Sequence, residues 1–480
     1  MSTAAAPAAE RRNAIERFLV LFTDVRAGEG STVLLVTVNI FLIQLAYYMI
    51  KPVREALILA APRGAELKSY AAAGQALLLL LVAVPFYARL ASRLPRRGLL
   101  NAVNLFFTAN LVLFYLIRVA IGPGQMWLAL LFYIWVGIFN LMVPAQLWSL
   151  ANDIYSTREG ERLFVIIAVG ASTGAAVGGL VTKQLIRPLG VDVMLLVSAG
   201  VLLASNLFTN GIEARERRRL AARTATGARE VEQPLTKAGA FRLVFRTRYL
   251  LLISFLMTFL NWVNTNGEFV LARKVEETCK LEVSREVAAG AEGTTAKRVE
   301  ECAGSVYAGF GTAVNITGLL IQLFLVSRIF KYLGVRAAIL FLPCIAFAGY
   351  SLILALPGLG FIRYAKIAEN ATDYSVQNTA RHALFLPTTR EQKYKAKQAI
   401  DTFFWRAGDV LSAGLVYTGL NWLHFTPRGF ALTNMALVLV WIGLAVAIGS
   451  EYARRTAAAP GGAPAAVPGG TAPAPAPGSA

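Results

Sequence analysis

Apolar runs of about 20 residues, long enough to cross a hydrocarbon core near 30 Å as helices, follow one another along most of the chain. They fall at Ser31–Ile50 (continuing past Pro52), Ser69–Ala91, Leu99–Ala120, Met126–Ala151, Leu163–Ile186 and Val191–Gly211. A second set covers Tyr249–Leu271, Ala303–Ser327, Val335–Leu356, a slot inside 358–385, Lys397–Leu420 and Gly429–Ser450. Lipid offers no hydrogen-bond partners, so each span must close its own backbone bonds and is predicted to be a helix, not a strand. About twelve spans, split six and six around a polar centre, predict an all-α membrane protein built as two pseudo-symmetric six-helix bundles.

The slot between Gly358 and Phe385 breaks the apolar pattern. Arg363, Lys366, Asn370, Asp373, Gln377 and Arg381 recur there at steps of three and four and share one face of a helix. Each charge facing lipid would cost roughly 2.5–3.5 kcal/mol. The stripe must therefore line a wet cavity or pair internally. The corresponding helix of the first set, Met126–Ala151, is plainly hydrophobic, so the stripe occupies a membrane-spanning slot and not a surface position.

Composition agrees with a polytopic membrane protein: 480 residues, 56% hydrophobic, 16% charged, mean hydropathy +0.55. The net charge of +19 could indicate nucleic acid, but its placement follows the positive-inside rule. With both termini cytoplasmic, about 29 Lys and Arg fall inside and about 14 outside. Clusters at Arg93, Arg96 and Arg97, and at Arg215, Arg217, Arg218 and Arg219, carry the inner assignment. No early apolar core precedes Ser31, so the first helix is expected to act as its own insertion signal. Cys279, Cys302 and Cys344 make no CxxC pair, His382 and His424 make no HExxH, and no GxxxxGK[ST] occurs. No metal, cofactor or P-loop ATPase chemistry is expected.

Five regions follow. Residues 1–30 form a cytoplasmic segment in which Ile15, Phe18, Leu19, Phe22 and Val25 share a face, as in an interfacial helix. Residues 31–211 and 249–451 are the two bundles, joined by a basic linker at 212–248, and the second carries a charged outer insert at 272–302. Residues 452–480 form an Ala/Pro-rich tail expected to be disordered. Matching landmarks imply an internal repeat. Basic breaks stand at Arg89–Leu100 and Phe324–Ile339. Ser156-Thr157-Arg158-Glu159 and Thr388-Thr389-Arg390-Glu391 each precede a small-residue helix. Gly170, Gly174 and Gly178 form a small-residue stripe for close helix packing.

The first helix carries Asn39, Gln44, Tyr47 and Tyr48 before Lys51-Pro52-Val53-Arg54-Glu55. Pro52 is expected to kink it, placing Lys51 and Arg54 beside freed carbonyls as contacts for an anion. Alternatively, Arg54 and Glu55 mark the membrane interface and Lys51 snorkels to water. Helix seven offers Asn261, Asn264, Thr265, Asn266 and Glu268. The carboxylate there could hold a counter-ion, carry a proton, neutralise Lys51 or simply sit at the interface. Asp401 and Arg406 are close enough to pair. The candidate lining is Lys51, Arg54, Glu268, Arg363, Lys366, Asp373, Gln377 and Arg381, a cationic excess that favours an anionic solute. Tyr47, Tyr48, Tyr364 and Tyr374 are candidate aromatic partners. Cys279 and Cys302 bracket the outer insert and would be either bridged or two free thiols, while Cys344 lies within a helix.

The basic loop Arg89–Leu100 resembles the signature loop of the major facilitator superfamily. Tyr47–Glu55, Ala151–Phe164 (ANDIYSTREGERLF) and Ala368–Asp401 resemble the bacterial and plastid-type ATP/ADP translocases, and more nearly their bacterial relatives, from about Arg26 to Tyr452. The resemblance implies a nucleotide transporter that exchanges ATP for ADP or imports nucleotides with protons. Lys51 matches the family's first-helix lysine, and Glu268 falls where its helix-seven glutamate lies. Two features depart from the family: Met126–Ala151 holds no acidic residue, and Gly408-Asp409-Val410 stands where the family has Gly-Lys-Ser. The expectation is a monomeric secondary transporter in a bacterial inner membrane, with a small anionic solute and the bilayer as partners and no nucleic acid. A proton-coupled exporter using Glu268 or Asp373 remains open, as does a non-transporting scaffold in which the stripe is an ion-paired lock.

Overall fold

The computed structural model describes residues 16–17, 25–26, 28–83, 85–86, 89, 96–155, 157–223, 240–290, 293–389, 392 and 396–457. Helix dominates throughout, and no strand is present among these residues. The order is α1 (Gly30–Ala60), α2 (Gly64–Leu78, extended by a π-turn over Leu79–Ala83), α3 (Arg96–Ile121) and α4 (Met126–Ile154). The stretch Thr157–Arg223 breaks at Gly190, whose φ of 78° suits a residue without a side chain, into α5 (157–189) and α6 (191–223). A short helix, Ala240–Arg246, precedes α7 (Arg248–Ala288). Next come α8 (295–333), which passes through a π-turn at Gln322–Val326, and α9 (335–355), separated by Gly334 at φ 73°. The set closes with α10 (359–383), α11 (397–421) and α12 (Pro427–Ala457).

Among the described residues, seven continuous helical stretches are long and apolar enough to cross a bilayer, and two of them are the pairs divided at Gly190 and Gly334. Counting those pairs as two each gives nine helices, and the more polar α7, α10 and α11 complete the twelve. Large apolar side chains such as Leu81, Leu207, Phe324 and Leu439 are exposed on the helix exteriors. So much exposed apolar surface fits lipid and not water. The chain is a multi-pass membrane protein.

Two apolar cores reflect the two halves. One gathers residues between Val25 and Ile212, and the other residues between Val244 and Ile448. The second also takes in Ile58, Leu59, Ala65, Ala71 and Tyr133, so the ends of α1 and α2 bridge the halves. Within the first half α5 lies directly on α1. Cβ atoms at Gly170, Gly174 and Gly178 would stand 2.6, 2.3 and 2.7 Å from atoms of Thr37, Phe41 and Leu45. The glycine stripe is therefore a packing surface.

Several expectations change. Pro52 lies inside an unbroken α1. The second helix starts at Gly64, five residues before the apolar run at Ser69, which brings Lys68 into the protein. The first half of the outer insert continues α7 as helix to Ala288, and Cys279 is joined to Cys302 with Cα atoms 5.8 Å apart. Cys344 is a free, exposed thiol on α9. Apart from Glu16 and Arg17, which are helical, and Val25, the amphipathic stretch 14–25 lies outside the described residues, as do the middle of the linker and the tail beyond Ala457.

Candidate solute-binding cavity

A chain of ionised side chains runs from one half of the molecule to the other. Arg54 on α1 donates to Glu55 Oε1 from Nε at 3.0 Å and Nη2 at 2.6 Å, and its guanidinium lies 4.5 Å from the Tyr133 ring centre. The other oxygen of Glu55 meets Lys68 Nζ of α2 at 2.9 Å. Lys68 stands 3.6 Å from Glu268 of α7 and 3.4 Å from the Tyr307 hydroxyl. Glu268 accepts a bond from Asn370 Nδ2 at 3.0 Å and lies 3.9 Å from Lys366 Nζ of α10. Lys366 then pairs with Glu369 at 3.0 Å and donates to Asn264 Oδ1 at 2.8 Å, while Tyr350 donates to Glu369 at 3.2 Å. The order Arg54, Glu55, Lys68, Glu268, Lys366, Glu369 alternates in sign and sums to zero. Burial makes this alternation necessary, because an unpaired charge in the interior is costly. Glu55 is 1% exposed, Lys68 4% and Lys366 0%.

Lys51 sits one helical turn before Glu55 and lies outside this balance. It is half-buried, its Nζ is 5.8 Å from the Tyr48 ring centre, and it makes no ion pair among the described residues. Among the described residues, Lys51 is thus the cation that the cavity wall presents outside the balanced chain.

Beside the network lies a cavity walled by Tyr48, Lys51, Pro52, Glu55, Asn264, Glu268, Tyr307, Phe310, Asn315, Asn370 and Tyr374 among others. A second lobe adjoins it, sharing Tyr48, Val314, Asn315 and Tyr374. It adds Gln44, Ser172, Gln322 and Asn378 and extends toward the face where α1 begins and α12 ends, called here the terminal face. Four helices supply most of the wall: α1 and α5 from the first half, α8 and α10 from the second. The halves approach closely there because Gly179 and Gly304 lack side chains. Cβ atoms at these two positions would stand 2.4 Å from Thr312 Oγ1 and 2.3 Å from Ile186 Cδ1.

The opposite face is tied shut. Arg118 at the end of α3 makes a bidentate pair with Glu300 of α8, at 2.7 and 3.2 Å, and also pairs with Asp192. Glu276 on the α7 extension accepts the backbone amides of Gly64 and Ala65 at 3.1 and 2.8 Å, satisfying free donors at the start of α2. Both ties join the two halves.

No family model matches the chain. It is 24% identical over 387 residues to ADP,ATP carrier protein 2 of Chlamydia trachomatis serovar D, an alignment covering 70% of this chain and 67% of that protein. Among solved structures, a peptide transporter POT variant superposes with a TM-score of 0.60 at 13% identity, over 92% of this chain and 99% of that one. A nucleoside transporter NupG variant gives 0.52 at 11%, over 88% and 99%. A bacterial homologue of the human lysosomal transporter Spinster gives 0.53 at 15%, over 88% and 97%. The fold is that of the major-facilitator-type transporters. These relatives are transporters and not enzymes.

Within that fold the sequence candidates separate. Lys51, Glu268, Tyr48 and Tyr374 line the cavity. Arg54 and Lys366 are buried behind it as links of the charge-balanced chain. Arg363 instead turns to α8, where its Nη2 would lie 3.0 Å from a Cβ at Gly309, beside Lys183. Asp373 and Gln377 are buried away from both lobes, with Asp373 Oδ1 and the whole Gln377 amide lacking hydrogen bonds. Arg381 donates to Asn378 Oδ1 at 2.9 Å and covers the Trp405 ring at 4.8 Å. Tyr47 stacks on Phe139 in the first-half core, and Tyr364, 71% exposed, lies on the helix exterior.

The π-turn at Asp373–Gln377 rotates the later positions Gln377 and Arg381 away from the earlier face, while Arg363 and Lys366, which precede it, already turn to different neighbours. The cavity face of α10 is instead Asn370, Tyr374 and Asn378. The expected Asp401–Arg406 pair is also replaced. Asp401 pairs with Lys397, and Arg406 with Asp409, which accepts further bonds from Asn261 and Thr265. Lys68, Tyr307 and Asn315 are among the wall or network residues that the sequence reading did not name.

Proposed function

We propose that the chain is a secondary transporter that carries a small anionic metabolite, a nucleotide, through the cavity between its two halves by alternating access. The observation carrying this reading is the isolated charge of Lys51. Around it, every other cation of the network is matched by a carboxylate, so an anion entering the cavity meets one unmatched positive group at its wall. A phosphate placed there supplies the partner that the protein does not. The likeness to an ADP,ATP carrier supports a nucleotide as the solute.

The halves 31–211 and 249–451 are the bodies that would rock about this site. With the terminal face cytoplasmic, in a bacterial inner membrane, the Arg118–Glu300 and Glu276 ties close the outer side and the uncharged lobe leads inward. A monomer is sufficient for this cycle, since both halves lie in one chain.

Purified protein in proteoliposomes loaded with unlabelled nucleotide should take up labelled ATP or ADP, and Lys51→Gln should lower the rate. Glu268 lies in the cavity wall and gives the proton-coupled reading its own support. Uptake that needs a pH gradient and no internal nucleotide would select that mechanism over exchange. Absence of uptake of any phosphorylated solute under both conditions would reject the proposal.

A further inference from the structure

The two lobes of the cavity differ in chemistry. The lobe at Lys51 carries the charged groups Lys51, Glu55 and Glu268. Among the described residues, the lobe toward the terminal face contains no ionisable acid or base apart from tyrosine. Its polar groups are Gln44, Ser172, Asn315, Gln322 and Asn378, with Tyr48 and Tyr374 at the junction. One of its amides has unmet hydrogen-bonding capacity: Gln44 is buried with Oε1 unpartnered, while Asn315, in the wall shared by both lobes, lies within reach of the Tyr48 hydroxyl. A buried amide group without a partner costs free energy, and that cost is relieved when a ligand completes the bond.

We infer that the uncharged lobe is a specificity subsite, in which Gln44 and Asn315 read the donor–acceptor edge of a planar, uncharged group, such as a nucleobase, whose phosphate end is held at Lys51. The inference rests on the nucleotide reading above and adds orientation and selectivity to it. Tyr48 and Tyr374 stand where the lobes meet and offer ring faces to a planar group passing between them. Discrimination by such a site is strong, because the wrong edge leaves the protein's own amides unpaired.

The test measures binding of ATP, GTP, CTP, UTP and inorganic tripolyphosphate to the full chain in detergent, for wild type, Gln44→Met, Asn315→Leu and Lys51→Gln. Each amide replacement should weaken the preferred nucleotide about tenfold and narrow the spread among bases, leaving tripolyphosphate binding unchanged. Retained tripolyphosphate binding also shows that the variants are folded. Lys51→Gln should weaken all five ligands together. Equal weakening of nucleotide and tripolyphosphate by the amide variants, or an unchanged ranking of bases, overturns the subsite while leaving the transport reading intact. A wild type that binds neither nucleotide nor tripolyphosphate overturns both.

Discussion

Replacing Glu55 by Gln removes one negative charge from the middle of the buried chain and leaves its shape nearly intact. Glu55 serves two cations at once, Arg54 at 2.6 Å and Lys68 at 2.9 Å, and is 1% exposed. An amide can still accept one bond, so the loss is electrostatic more than steric. At an effective dielectric constant near 20, a unit pair at 2.9 Å attracts by about 6 kcal/mol before desolvation is subtracted. Removing one partner of a buried pair costs about 3–5 kcal/mol in practice. The surface pair Lys397–Asp401, with the Asp side chain 39% exposed, is the control: Asp401→Asn should cost no more than about 1 kcal/mol. Thermal unfolding in detergent, followed by tryptophan fluorescence, should place Glu55→Gln well below wild type and Asp401→Asn close to it. Lys68→Met should also destabilise, and combining it with Glu55→Gln should cost less than the sum of the two, because the double change removes both members of one pair. Equal melting temperatures for Glu55→Gln and Asp401→Asn, or strict additivity of Glu55→Gln and Lys68→Met, would refute the view that this network is a coupled, charge-balanced lock.

Lys51→Arg should retain more uptake than Lys51→Gln, since the charge and not a hydrogen-bond geometry is assigned to it; identical rates for the two would remove that role. Glu300→Gln should loosen the closed face by halving the charge partnership of Arg118. A cysteine placed at Gly311 in the cavity wall, where an added Cβ meets open space, in a Cys344→Ser background should then react faster with a bulky reagent added from that face, and an unaltered rate would show that the pair is not a gate. The bridge Cys279–Cys302 closes 23 residues and should contribute about 3 kcal/mol to stability. In intact cells both thiols should label only after reductant, and labelling without it would contradict the bridge.

The helices were legible because membrane spans announce themselves by length and apolarity, and glycines 170, 174 and 178 announced a packing stripe by spacing alone. Polar detail was harder, for identifiable reasons. Lys68 stands just before an apolar run and reads as a loop lysine. Only the start of α2 at Gly64, capped by Glu276 from another helix, carries it inside. Glu300 reads as part of a solvated insert, yet is 1% exposed against Arg118, a partner 182 residues away. The α10 stripe is regular at 3.6 residues per turn, but the π-turn at Asp373–Gln377 changes the period in its middle. Lys51 and Glu268 could be placed at the cavity wall from sequence because a charge deep in an apolar run must face a wet or paired interior. Gln44 and Asn315 are neutral, and only the cavity reveals that both reach its wall, Gln44 with an unpartnered Oε1.

The central claim is that an anion binds between the two halves at Lys51. The measurement that tests it most directly is the thermal stability of purified wild-type and Lys51→Gln protein across a panel of nucleoside mono-, di- and triphosphates and the corresponding free nucleosides. Stabilisation should appear with the phosphorylated compounds and not the nucleosides, weaken as salt is raised, and be lost or much reduced in Lys51→Gln. Equal stabilisation by nucleosides and nucleotides, or a nucleotide effect that survives unchanged in Lys51→Gln, would contradict it.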